Sequence, residues 1–74
     1  MEKVKCKFVC RSIEQFENQQ NVKMEAVTNG TPEDNTYSKY TPSGKFEICV
    51  TNESVFGFFI PGQKYYFDIV KEDV

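Results

Sequence analysis

Histidine, leucine and tryptophan are absent from this chain of 74 residues, and alanine occurs once. Each absence excludes something. Without histidine the commonest general base and a principal metal ligand are missing. Without leucine, and with a single alanine, the best helix formers are gone, so a helical bundle is not expected. Cysteine occurs three times, an odd count that builds no disulfide framework and suits a reducing compartment. Cys6, Cys10 and Cys49 form no C-x-x-C pair and fall short of the four ligands of structural zinc, so they read as small hydrophobes.

Other classes fall in the same way. No apolar run approaches the 18 or so residues of a membrane span. The N-terminal "MEKVKCKFVCRSI" alternates charge with apolar side chains and so lacks the apolar block of a secretory signal; a cytosolic protein is expected. A net charge of −2 provides no global attraction for nucleic acid or for an anionic membrane. There is neither a phosphate-cradling glycine loop nor a dinucleotide fingerprint. The adjacent carboxylates Glu33 and Asp34 lie in a turn and read as solvated charges. An enzyme is therefore not expected, and no cofactor or metal is called for.

What remains is rich in strand formers: seven Phe, four Tyr, eight Val and four Ile. Val4, Cys6, Phe8 and Cys10 alternate with Lys3, Lys5, Lys7, Val9 and Arg11, the period of a half-buried strand. Val22, Met24 and Ala26 alternate with Lys23, Glu25 and Val27, which predicts a second strand after the polar "EQFENQQN", where Phe16 is the lone apolar residue. "NGTPEDN" is turn punctuation, and "TYSKY" (36–40) predicts a short third strand. "TPSG" predicts a tight turn into a fourth strand with Phe46, Ile48 and Val50 inward. Asn52 caps a single helical or 3-10 turn within "ESVFGFF". "QKYYFDIV" is the fifth strand, with Tyr65, Phe67 and Ile69 on one face.

This order predicts one mostly β domain over residues 1–74, a five-stranded SH3-like barrel with a helical turn before its last strand. An OB-fold is the alternative, although its helix is expected between the third and fourth strands. Among the aromatics, Phe56, Phe59, Tyr65 and Phe67 are expected in the core, while Phe58 and Tyr66 are expected to be exposed.

Two surfaces invite partners. Lys3, Lys5, Lys7 and Arg11 share the outer face of the first strand, with Lys23 beside them, and such a track plus an exposed tyrosine suits single-stranded nucleic acid. Lysines on outward strand faces also simply discourage edge pairing. The segment from Asn29 to Gly44 is long for a loop in a compact domain, a length that points to function or to disorder. Its Glu33, Asp34, Tyr37, Lys39 and Tyr40, with Tyr66, form a candidate protein-contact set.

The run "PEDNTYSKYTPSGKFEICVTNESVFGFFIPGQKYYFDI" resembles a group of small uncharacterised proteins of tailed phages and prophages. The resemblance rests on Pro32-Glu33, Tyr37, Thr41-Pro42-Ser43-Gly44, Asn52, Phe59, Pro61-Gly62 and Tyr65-Tyr66, and covers nearly the whole chain. The sequence departs from the pattern at Glu53, where proline is common. The resemblance implies an accessory phage protein that acts by binding, with a host or antiviral-defence protein as the expected partner. A single-strand nucleic-acid binder is the alternative, and a phage structural or assembly protein a further one. The sequence leaves the oligomeric state open.

Overall fold

The computed structural model describes residues 3–28 and 30–72, so Asn29, the first residue of the long segment singled out above, lies outside the described residues. The element order is β1 (Lys3–Gln15), β2 (Gln20–Ala26), α1 (Pro32–Tyr40), β3 (Lys45–Val50), a 3-10 turn (Glu53–Val55) and β4 (Lys64–Val70). The strands form one antiparallel sheet in the order β3-β2-β1-β4. The fold is mostly β, a curled half-barrel.

The alternation read from the sequence sets the inner face. Phe8 lies opposite Ala26 and Tyr65, Met24 opposite Cys10 and Phe46, and Val22 opposite Ile13 and Ile48. Cys6, Phe8, Cys10, Val22, Met24 and Ala26 are the buried cluster, and Phe46, Ile48, Val50, Phe59, Tyr65 and Phe67 pack against it half-buried. The curl is visible in the rings. Phe46 on one edge strand and Phe67 on the other have centroids 4.3 Å apart, with Phe8 between them at 5.6 and 5.3 Å.

β1 serves two neighbours in sequence along its length. It pairs with β4 over Lys3–Val9 and with β2 over Phe8–Gln15, and the β2 register shifts between Cys10 and Ser12. The extra residue at Arg11 is a bulge, which bends the strand and increases its twist.

Three sequence expectations are corrected. Residues 36–40 are helical, not a strand, so the described residues hold four strands where five were expected, and β3 and β4 remain as edges in place of a closed barrel. The physical reason lies just upstream. The Thr31 hydroxyl accepts from the Asp34 N–H at 3.1 Å, Pro32 occupies the first turn, Glu33 and Asp34 favour the positive end of the helix, and Lys39 its negative end. Phe56 is only half-buried and stands outside the main cluster, whose fully buried members come from β1 and β2. Asp34, read as a solvated charge, is 1% exposed.

The turn before the last strand is as expected. The Asn52 side chain accepts from the Ser54 N–H at 3.1 Å and starts the 3-10 turn. The Tyr65 hydroxyl then donates to the Phe58 carbonyl at 2.7 Å and accepts from the Ile60 N–H at 3.0 Å, which ties the 58–60 segment to β4. Gly62 enters β4 with φ of +90°, a conformation that disfavours any other residue.

Candidate functional site

The outer face of the sheet carries α1, and a charge network fixes it there. The alternation of β1 places Lys7 outward, and the β1–β4 register sets Tyr66 opposite Lys7 and Lys64 opposite Val9. Asp34 from the first turn of α1 drops between the two lysines. Its carboxylate accepts from Lys64 Nζ and lies 2.7 Å from Lys7 Nζ. Lys7 also donates to Glu33 at 2.9 Å, and the Tyr66 hydroxyl donates to the same Glu33 oxygen. Lys7 Nζ stands 5.4 Å from the Tyr66 ring centre.

Each ionisation responds accordingly. The Lys64 hydrogen bond, then that of Lys7, holds the Asp34 carboxyl down at about 2. Hydrogen bonds to Asp34 and Glu33 push the Lys7 ammonium well above its ordinary value. The Tyr66 hydroxyl, then Lys7, lowers Glu33, and Glu33 in turn raises Tyr66. Lys7, Glu33, Asp34 and Tyr66 are each shifted toward the protonation state they hold at neutral pH, so the arrangement clamps a helix. Val9 and Val27, both buried, lie beside the same clamp.

The candidate contact residues separate in this light. Glu33 and Asp34 face the sheet and are engaged by it, and Tyr66 joins them through Glu33. Tyr37 is half-buried, its ring centre 6.0 Å from that of Tyr66 at an interplanar angle of 58°. Tyr40 is 77% exposed, with Lys39 Nζ 5.8 Å from its ring centre.

The cationic set is dispersed by pairing. Lys3 meets Asp68 at 3.5 Å, Lys7 meets Glu33 and Asp34, Arg11 meets Glu25 at 3.2 Å, and Lys23 meets Glu14 at 3.3 Å. Of these five cations only Lys5 carries no ion pair among the described residues. The continuous phosphate track expected of a nucleic-acid surface is therefore interrupted by carboxylates.

A different feature emerges where β1 overhangs β2. Among the described residues, pairing with β2 stops at Phe8, and Val27 N–H donates to the Lys7 carbonyl at 3.1 Å as the last backbone contact on that side. Cys10 directs its backbone groups toward the β4 side, bonding Gly62 and Gln63, while Lys7 directs its carbonyl toward the β2 side. By strand alternation, the N–H and C=O of Lys5 also face the β2 side, where none of the described residues pairs with them. There α1 runs alongside. Lys3, Val4 and Lys5 form one wall of a groove of about 590 Å³, and Thr36, Tyr37 and Tyr40 form the other. Thr41, just past the helix, closes the floor with its hydroxyl 3.8 Å from Cys6 Sγ.

Val4, Thr36 and Lys64 were not singled out by sequence reasoning. Val4 shares the face of Cys6 and Phe8 on β1, yet it is 48% exposed. No described helix is long and apolar enough to cross a membrane. Compared with protein-family models, curated proteins and solved structures, the chain matched none.

Proposed function

We propose that this chain is a non-enzymatic, phage-encoded binding module that captures an extended segment of a host protein and thereby blocks an antiviral defence factor. The observation that carries the reading is the groove between α1 and the stretch of β1 that pairs with no strand on that side among the described residues. A strand edge flanked by a helix is a general way to hold a peptide: main-chain hydrogen bonds supply affinity, and pockets for alternate side chains supply selectivity. The wall chemistry describes the ligand. Val4, Tyr37 and the exposed Tyr40 suit apolar or aromatic side chains, and Lys5, free of an intrachain ion pair among the described residues, suits a carboxylate. The phage assignment and the host target rest on the sequence resemblance described above.

The test compares capture from host lysate by the wild-type chain, Tyr40→Ala and Lys5→Pro. Tyr40 is highly exposed, so its truncation spares the fold, and proline at position 5 removes an outward N–H that makes no ladder bond among the described residues. Loss of the same prey by both variants supports the groove. Equal recovery by all three refutes it. The nucleic-acid alternative predicts retention of single-stranded DNA on a filter at low salt and steep loss at higher salt; no retention at low salt removes it.

A further inference from the structure

The surface of this chain is too large for its mass. It exposes 5642 Å², whereas a folded monomer of 8.6 kDa is expected to expose roughly 4,700 Å². Its radius of gyration is 13.7 Å against about 11 Å for a compact chain of this length, and its extents of 38 × 38 × 17 Å describe a flattened body. The excess is about 900 Å², close to the ~800 Å² that each partner contributes to a standard protein interface.

Tyr66, Ile69 and Val70 put part of the exposed apolar surface on β4. Among the described residues this strand pairs with β1 alone, and its last residues are open, with Ile69 56% and Val70 64% exposed. Since Cys10 directs its backbone toward β4, alternation aims Phe8, Cys6 and Val4 at Tyr65, Phe67 and Ile69. The N–H and C=O groups of Lys64, Tyr66, Asp68 and Val70 therefore face outward along the free edge. Nothing in "KYYFDIV" blunts that edge. It has no proline or bulge, and its charges are already engaged, Lys64 by Asp34 and Asp68 by Lys3. The other edge strand, β3, is guarded in the usual manner, since Lys45 and Glu47 carry no ion pair among the described residues.

We propose that a second copy of this chain docks on the free edge of β4, antiparallel about a two-fold axis at Phe67, and extends the sheet across the dimer. Alternation puts the axis at a residue, and the midpoint Phe67 is the one that opposes all seven residues of β4. Phe67 meets Phe67 of the second copy, and Tyr65 meets its Ile69 on the inner face. On the outer face Tyr66 meets its Asp68, and Lys64 meets its Val70, so no like charges are opposed. An axis one residue later sets Asp68 against its own copy, and β4 avoids it. The α1–β1 groove lies on the opposite side of β1 and stays open.

Sedimentation velocity on the full chain tests the proposal, alongside Asp68→Pro, which removes an outward N–H without touching the β1 ladder, and Ile69→Lys. The expected result is twice the chain mass for the wild type and the single-chain mass for both variants. A monomeric wild type at 100 µM overturns the proposal, as does a dimer that survives both substitutions. Amide exchange on the wild type alone removes any dependence on variant folding. Slow exchange of the Tyr66 and Asp68 amides in concentrated protein, lost on dilution while Phe67 and Ile69 remain protected, supports the pairing. Fast exchange at Tyr66 and Asp68 in a sample that sediments as a dimer overturns it.

Discussion

If the sheet curls as described, Phe46 and Phe67 must couple energetically. They belong to opposite edge strands, β3 and β4, with β2 and β1 between them. In a flat sheet three inter-strand steps of ~4.8 Å would hold them about 14 Å apart, too far to interact. Curling brings their ring centres to 4.3 Å with an interplanar angle of 48°, and both rings lean on Phe8. A packed aromatic pair adds about 0.5–1.5 kcal/mol beyond its area, so a double-mutant cycle on Phe46→Leu and Phe67→Leu should return a coupling in that range. Leucine keeps an apolar side chain at each half-buried position, and a single substitution of this kind costs about 1 kcal/mol. A domain of this length holds roughly 4–11 kcal/mol in total, which leaves the double variant measurable. Urea unfolding followed by far-ultraviolet circular dichroism supplies the four free energies. A coupling below about 0.3 kcal/mol, the level at which separated sites simply add, would refute the half-barrel.

Three further outcomes follow from particular groups. Asp34 has its carboxyl lowered from an ordinary 3.8 to about 2 by Lys64 and Lys7, so its contribution is present above pH 4 and is lost as pH falls toward 2; Asp34→Asn should flatten that acid limb of the urea midpoint, and an unchanged limb would contradict the clamp. Gly62→Ala places a Cβ at φ +90° and should lower stability by about 1–2 kcal/mol, read from the same urea curves, whereas an unchanged midpoint would contradict the turn geometry. A thiol reagent under native conditions should label the exposed Cys49 rapidly and spare Cys6 and Cys10, which are buried and in the case of Cys10 pushed up in pKa by desolvation; mass spectrometry after brief exposure counts the labels, and even labelling of all three would contradict the core.

The sequence was most readable where burial is one-sided. The alternations at Cys6, Phe8 and Cys10, at Val22, Met24 and Ala26, and at Phe46, Ile48 and Val50 are the inner faces of β1, β2 and β3, because a period of two leaves a strand no other way to bury them. Asn52 gave its turn, and Phe58 and Tyr66 lie exposed as their surplus suggested. The helix was misread for a local reason. Thr31-Pro32-Glu33-Asp34 is a helix start as much as a turn, and Tyr37 and Tyr40, three apart, suit either a helix face or two sides of a short strand. With no leucine or further apolar residue in 32–40, no amphipathic stripe settled the choice. The burial of Asp34 was beyond sequence reasoning because its partners come from β1 and β4, and only the Lys7–Tyr66 register brings them together. The Arg11 bulge carries no glycine or proline to announce it, and the open edge of β1 exists only because β2 stops short.

That edge is where the account is most exposed. Amide hydrogen exchange at Lys5, compared between the isolated chain and its complex with the captured host protein, reads the outward-facing backbone donor directly. The expected result is fast exchange alone and strong protection in the complex, with Tyr40 shielded from labelling alongside it. Unchanged exchange at Lys5, with protection arising on another face of the sheet, would contradict the proposed mode of recognition.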